Sequence, residues 1–452
     1  MNTEIQEVQI EKYPAYKDSG VEWLGEIPAH WEVKRLKNLA TYINRGSAPT
    51  YVESSNCKVI NQATFSKGFF DLENIKYTHE FANRVLDKAT VLPKDILLAS
   101  TGGGVLGKAA FFENIDGSFI ADSHVTIIRG NKIEGKFYYY ILSISYNLIN
   151  GVLAQGSTNQ TELQREWLRN FLFPFPPIEE QTAIANFLDD RTTKIDNAIS
   201  IKERQIELLK ERKQILIHKA VTSGLDENVP MKDSGVEWIG KIPEHWEVTK
   251  FRYLFNLGKG LTITKENLRD EGVLCVNYGE IHSKYGFELD TDIHFLKYVK
   301  EDYCLSDPKA LIKEGDFVFA DTSEDIEGSG NFTYLKSENE IFAGYHTVIA
   351  RPKNNIDSRF FAYEFDSIAF RNQIRTQVKG VKVYSITQFI LKQATVWIPS
   401  IKEQKAIVNY LDDKTKKIDT AISLKLREIE KLKEYKSSLI NSTVTGKIKV
   451  AN

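Results

Sequence analysis

Apolar residues return at alternating steps of four and three through two stretches of the chain. The first runs Ile195, Ile199, Lys202, Ile206, Leu209, Lys213, Leu216; the second runs Ile418, Ile422, Lys425, Ile429, Leu432, Lys436, Leu439. Residue type is identical at all seven matched places. A mean apolar spacing of about 3.5 residues is that of a coiled-coil seam. Prolines and acidic first-turn residues precede each stretch (Pro176-Pro177 and Pro399), as at a helix start, and Ser223-Gly224 closes the first. The plainer alternative is a single amphipathic helix on each domain's own core. Two copies of one seam, with lysines at the same two steps, favour pairing with each other. The flanking charges of ERQIELLKERK and REIEKLKEYK keep the outer faces wet.

Elsewhere the period changes. Short apolar or alternating runs (KVINQ, DILLAST, KAAFF, HVTIIRG, then VLCVNY, DFVFAD, FTYL, HTVIARP) are separated by Gly, Asn and Asp clusters and predict strands. Helices are predicted over 137–149 and 359–376. The class is therefore α+β. Much of the frame occurs twice. Residues 17–33 (KDSGVEWLGEIPAHWEV) and 232–248 (KDSGVEWIGKIPEHWEV) agree at 14 of 17 positions, and 181–200 agrees with 404–423 at 14 of 20. The stretches between these blocks have diverged.

Chain geometry then predicts the arrangement. Each helix of about 43 residues spans roughly 65 Å. The linker from Gly224 to Lys232 reaches at most about 30 Å, too short to carry the chain back. The second globular region therefore starts at the far end of the first helix, and the second helix returns antiparallel. The expected fold is two globular domains joined by a two-helix coiled-coil spacer, with internal pseudo-two-fold duplication. The expected boundaries are 1–177, 178–224, 225–399 and 400–452.

Composition narrows the class. The 452 residues are 42% hydrophobic and 27% charged, with a net charge of −2. No blanket basic footprint exists, so any nucleic-acid contact must use local patches or a partner's charge. Cys57, Cys275 and Cys304 are odd in number and form no CxxC, which predicts a reduced, cytoplasmic protein without a disulfide framework or cysteine zinc site. No apolar run approaches the ~18 residues of a membrane span, and the first residues lack a signal core.

The duplicated blocks carry a resemblance. YKDSGVEWLGEIPAHWEV (16–33) and MKDSGVEWIGKIPEHWEV (231–248) resemble the opening of target recognition domains in the specificity (S) subunits of type I restriction-modification systems. PFPPIEEQTAIANFLD (174–189) and WIPSIKEQKAIVNYLDD (397–413) are similar to the starts of that family's conserved helices. The resemblance covers essentially the whole chain. It implies a non-catalytic subunit that binds double-stranded DNA at a split, asymmetric site, one half-site per domain. It also implies docking of two methyltransferase subunits, with restriction–translocase subunits beyond them. S-adenosylmethionine, ATP and Mg²⁺ would then belong to those partners, and no membrane is involved.

On that reading the frame is shared and the reading surface differs. Four matched polar loops are the candidates: 44–47 against 258–261, 60–62 against 276–278, 100–102 against 321–323, and 155–160 against 379–384. Arg45 suits a guanine; Asn61, Gln62, Asn159 and Gln160 suit adenines. Lys67, Lys108, Lys259, Lys379 and Lys382 are phosphate candidates. Ser47, Ser100, Thr101, Asn277, Thr322 and Ser323 lie in the same loops, and Tyr278 and Tyr384 could pack against a base or sugar. Ordinary turn residues are the plainer reading of each. Trp23, Ile27, Pro28, His30 and Trp31, with Trp238, Ile242, Pro243, His245 and Trp246, are expected to staple the core. His124 and His346 sit in apolar strands and are expected to be satisfied core histidines rather than catalytic or metal-binding ones.

Three patterns mislead. Gly102 to Lys108 spells GxxxxGK, but Ala109 stands where a P-loop needs Ser or Thr, so a β-turn is expected. Glu32-Val33-Lys34 has a nuclease-like ExK shape that copy two lacks. Phe175-Pro176-Pro177 lacks the Asn or Asp of a base-methylating loop. The competing functional reading is a protein-binding coiled-coil scaffold with two ligand-binding heads and no nucleic acid, which the near-neutral charge would suit.

Overall fold

The computed structural model describes residues 11–66, 70–73, 75–79, 88–102, 104–113, 116–130, 133–145, 154–155, 162–353, 356–380 and 382–450. It forms two compact units, Met1–Lys202 with Arg427–Asn452, and Glu203–Leu426. Two long helices dominate: a central one, Ile178–Ser223, and a C-terminal one, Ile401–Val444.

In each unit these helices run antiparallel. In the first unit Lys436 Nζ donates to the Asp196 carboxylate at 2.6 and 2.7 Å, and Lys202 Nζ to Glu428 at 2.6 Å. In the second, Lys213 Nζ reaches Asp419 at 2.8 Å and Lys425 Nζ reaches Gln205 Oε1 at 2.6 Å. The four seam lysines are thereby explained. Their stems lie along the seam and their heads reach an acceptor on the opposite helix. Ile195, Ile199, Ile206, Ile418, Ile429 and Leu439 are buried; Leu209, Leu216, Ile422 and Leu432 are half-buried.

The duplication extends to strand register. In the first unit a sheet has the order Tyr42–Arg45, Val125–Arg129, Ile96–Ala99, Ala109–Phe111, all antiparallel. In the second the order is Phe255–Lys259, Thr347–Pro352, Phe317–Ala320, Phe332–Leu335, Phe287–Leu289. Arg45 stands opposite Thr126, and Lys259 opposite the equivalent Val348. Each unit adds a second, four-stranded sheet with one parallel pairing, Cys57–Ile60 to Ser118–Ala121 and Val273–Val276 to Ile341–Ala343. The fifth strand, Phe287–Leu289, has no counterpart among the described residues of the first unit. It is entered through Phe287 at φ +77°, and the Phe287 ring lies 4.8 Å from Tyr363.

One expected helix is two. Ser358–Asp366 and Ile368–Arg375 are separated by Ser367, whose backbone is extended. Its Oγ donates to Glu364 O at 2.6 Å and accepts from Phe370 N at 3.3 Å, closing one helix and capping the next. The helix expected at 137–149 is Gly135–Ile144, with 146–150 outside the described residues.

The repeated motifs weld each long helix to its globular region. Glu180 accepts from His30 Nε2 at 2.6 Å, Trp31 Nε1 at 2.9 Å and Tyr13 OH at 3.1 Å. Its counterpart Glu403 accepts from His245 at 2.7 Å and Trp246 at 3.3 Å. Burial pushes the Glu403 carboxyl up, but hydrogen bonds from His245, Ser400 and Trp246 prevail and hold it at about 2. The next residue repeats as well. Gln181 accepts from Glu134 N and donates to Pro176 O; Gln404 accepts from Asp357 N and donates to Pro399 O. The first aspartate of each LDD triplet completes the weld, Asp189 with Tyr140 and Lys136, Asp412 with Tyr363 and Arg359. The expected staple is present in Ile27, Trp31, Ile242 and Trp246, which are buried. His30 and His245 are exposed instead, and work as donors to the glutamates.

Glu364 departs from the repeat, because its counterpart Ile141 is apolar and buried. Its side chain is wholly buried, Oε1 accepts from Trp397 N at 3.1 Å, and Oε2 has no partner among the described residues. Burial pushes this carboxyl well above the usual carboxylate range. A raised carboxyl pKa in the fold means that stability declines as pH rises above the unfolded value near 4.5. Glu364→Gln should therefore raise the melting temperature at pH 8 and flatten its decline between pH 5 and pH 8. Thermal unfolding at the two pH values checks this.

Candidate nucleic-acid interface

In the second unit all four candidate segments meet. Strand Thr322–Ser323 pairs with Tyr384–Ser385, bringing 321–323 beside 382–385. The 258–261 loop lies on the turn before strand Thr347–Pro352. Gly260 is required there, since a Cβ would stand 2.1 Å from the Gly344 carbonyl oxygen. Tyr278 opens the helix Tyr278–Ser283, and its ring lies 5.3 Å from His346 and 6.1 Å from His282. His282 Nε2 donates to Thr322 O at 2.8 Å, while Nδ1 accepts from Asn331 at 2.8 Å.

Two hollows open on this face. One, of about 740 Å³, is lined by Tyr278, His282, Asp325, Glu327 and Val383 among others. The second, of about 790 Å³, is lined by residues including Lys259, Leu261, Ser385 and Gln388. Thr322 and His346 border both. Lys259, Lys379 and Lys382 are exposed, and Tyr384 is half-buried. Two candidates are corrected. Asn277 is 1% exposed and caps the helix that Tyr278 begins; Ser323 is 5% exposed. Their side chains shape the face from beneath and cannot meet a ligand without local opening.

The first unit builds the equivalent face differently. Gln62 Nε2 donates to Thr101 O and Oγ1, both at 2.8 Å, and to His124 O at 3.1 Å. Asn61 caps the helix Gln62–Phe65, and Ser47 N donates to Ala121 O. The Arg45 guanidinium is paired with Glu162 and donates to Leu163 O at 3.1 Å and Ser100 O at 3.4 Å. It must leave Glu162 before it can fork onto a guanine edge. A hollow of about 500 Å³ beside it is lined by Asn44, Arg45, Lys88, Glu162 and Arg165 among others. Lys108 Nζ donates to Ser66 O at 2.6 Å. Ser100 is corrected: it is fully buried, with Oγ 2.6 Å from Thr126 Oγ1. Lys67, Asn159 and Gln160 lie outside the described residues.

Both histidines expected in the core are instead exposed at turn tips, immediately before strands Val125–Arg129 and Thr347–Pro352. In HVTII and HTVIA burial begins one place after the histidine, at Val125 and Thr347. The usable signal was the turn ahead of it, Asp122-Ser123 and Gly344-Tyr345. Asp122 Oδ1 accepts from His124 N at 2.8 Å, and burial pushes the Asp122 carboxyl up. The GxxxxGK stretch is a turn between strands Ile96–Ala99 and Ala109–Phe111, with Gly102, Gly104 and Gly107 all at positive φ. Among the described residues no helix is long and apolar enough to cross a membrane.

Comparison with known proteins gives a consistent set. The family model described as "Type I restriction modification DNA specificity domain" matches twice, over residues 28–211 and 243–431. The type I restriction enzyme MjaVIII specificity subunit of Methanocaldococcus jannaschii is 26% identical over 439 residues, 94% of this chain and 95% of that protein. The type I restriction enzyme EcoKI specificity subunit of Escherichia coli strain K12 is 24% identical over 426 residues, covering 88% and 86%. A chain solved in work on complex assembly and conformational transition of the type I R-M system shares the fold, with TM-score 0.69 and 13% identity over 92% of this chain and 98% of that one.

Proposed function

The chain belongs to the type I restriction-modification DNA specificity family, as an S subunit, and from that premise we propose that it is the non-catalytic DNA-reading subunit of its complex. It binds duplex DNA at a bipartite, asymmetric site in the cytoplasm, each recognition domain taking one half. It docks two methyltransferase subunits, with restriction–translocase subunits beyond them. S-adenosylmethionine, ATP and Mg²⁺ are held by those partners.

The observation that carries this reading is the convergence of diverged segments on a conserved frame. The histidine and tryptophan bonds to Glu180 and Glu403 repeat, whereas the faces around His124 and His346 share a backbone but carry Arg45 against Lys259, Gln62 against Tyr278 and Ser100 against Asp321. A frame kept constant beneath two different surfaces suits two different half-sites. The faces offer what base edges and phosphates need: exposed Lys259, Lys379 and Lys382, amide and hydroxyl groups, and backbone brought close by glycine.

The test is enrichment of random duplexes by the purified complex with its methyltransferase, followed by a salt titration on the enriched site. Enrichment of one split sequence, with affinity falling steeply as salt rises, is expected of a phosphate-gripping reader. A protein-only scaffold would enrich nothing and show no such slope.

A further inference from the structure

His124 and His346 occupy the same place in the two copies. Ser100 N donates to His124 O at 2.9 Å, and Asp321 N donates to His346 O at 3.0 Å, so each backbone is tied identically to the neighbouring strand end. Each imidazole is exposed and fixed through Nδ1, and its Nε2 has no hydrogen-bond partner among the described residues. His346 also holds a left-handed backbone, φ +54°, which is uncommon for a residue other than glycine. Such a conformation is kept where surrounding structure enforces it. Here it stands the ring on the ridge between the two hollows.

The partners at Nδ1 are of opposite kind. Thr101 Oγ1 already accepts from the Gln62 amide at 2.8 Å, and that nitrogen is identified by its two carbonyl acceptors. The hydroxyl proton of Thr101 is then free to go to His124 Nδ1, 2.8 Å away. Where that hydroxyl donates, Nδ1 accepts and the ring proton sits on Nε2. In the second unit Nδ1 of His346 faces the Asp321 carboxylate at 3.2 Å. A carboxylate can only accept, so the proton sits on Nδ1 and the neutral ring offers a bare Nε2. The other charged and titratable groups around His346 are Tyr278 and Tyr345, His282, and the acidic wall Glu324, Asp325 and Glu327, with Lys259 across the second hollow. That wall repels phosphate and suits an amino-bearing base edge.

Resting on the DNA-reading assignment above, we propose that His124 and His346 are base-reading residues of opposite polarity. His124 donates from Nε2 to a base acceptor, a purine N7 or a ring carbonyl. His346 accepts at Nε2 from an exocyclic amino group of adenine or cytosine.

The test uses the full chain with its methyltransferase subunits and random duplexes, buffered at about pH 8.5, well above the reference imidazole value. His346→Ala should relax one position of one half-site roughly tenfold and leave the other half unchanged; His124→Ala should do the converse. His346→Asn, which tolerates the left-handed backbone, stands in if the alanine variant melts early. Base analogues then read polarity. Deleting the amino group at the relaxed position should weaken the parent protein but not His346→Ala. Deleting a purine N7, or replacing the carbonyl oxygen of a base, at the other position should weaken the parent but not His124→Ala. Identical enrichment profiles for parent and both variants would overturn the proposal while leaving DNA reading intact. Equal loss on amino deletion in parent and His346→Ala would overturn the polarity. If the parent itself enriches no split sequence, the DNA-reading assignment falls and takes this inference with it.

Discussion

Trp246→Ala should lower the stability of the second unit by about 3–5 kcal/mol, the cost of emptying a large buried site that cannot collapse. At this size that is a melting-point drop of roughly 6–20 °C. Trp246 is 1% exposed and sits in the cluster that joins the end of the central helix, Ile217 and Val221, to the first turns of the C-terminal helix, Ile407 and Leu411. A Cβ built on Gly224 would already stand 3.3 Å from its ring. Its Nε1 is a donor to Glu403, so truncation also strips a hydrogen bond from a partly buried carboxylate. Trp238, in the same repeated block, is 40% exposed. Trp238→Ala is the matched control, with an expected change within about 1 kcal/mol. Differential scanning calorimetry of the two variants separates them, and equal melting points would show that the repeated block is not the weld described.

Placing acid in the seam should be nearly as damaging, and locally so. Ile429→Asp acts in the first unit and Ile206→Asp in the second. Each loses a buried branched side chain and forces a carboxylate into an apolar strip, about 3–5 kcal/mol in all. The lysines nearby do not offset this, because Lys202 and Lys425 are already engaged by Glu428 and Gln205. Hydrogen exchange read by mass spectrometry should rise over 185–202 and 427–440 in Ile429→Asp, and over 203–223 and 405–426 in Ile206→Asp. Unchanged protection in both would mean that the four-three repeat does not mark the helix–helix contact.

That repeat was the most legible part of the chain. Coiled-coil periodicity is a local property, so seven residues on one helix suffice to expose it, and a second copy removed the ambiguity. The strands followed from alternation and turn residues for the same reason. What failed was set by side-chain partners, some distant in sequence and some only three residues away. Ser100 reads as a loop hydroxyl, yet Thr126 draws it into the sheet. Asn277 reads as a loop residue open to DNA, yet the capping box with Glu280 makes it a helix cap. Arg45 reads as a free fork, and only the fold brings Glu162 to it. Ser367 interrupts a helix that periodicity runs straight through, because its hydroxyl bonds backbone on both sides. The fifth strand depends on the left-handed turn at Phe287, which an aromatic residue does not announce.

The two units draw on the chain unequally. Glu203–Leu426 is one uninterrupted stretch, whereas the other unit combines residues before 203 with residues after 426, and Lys449 N donates to Glu11 O across that join. During translation the continuous unit has all its sequence before residue 427 is made. The split one must leave the apolar stripe of Ile195 and Ile199 bare until 427–450 clear the ribosome. Nascent chains should therefore recruit a holdase through that early helix, and release it only once 427–450 have emerged.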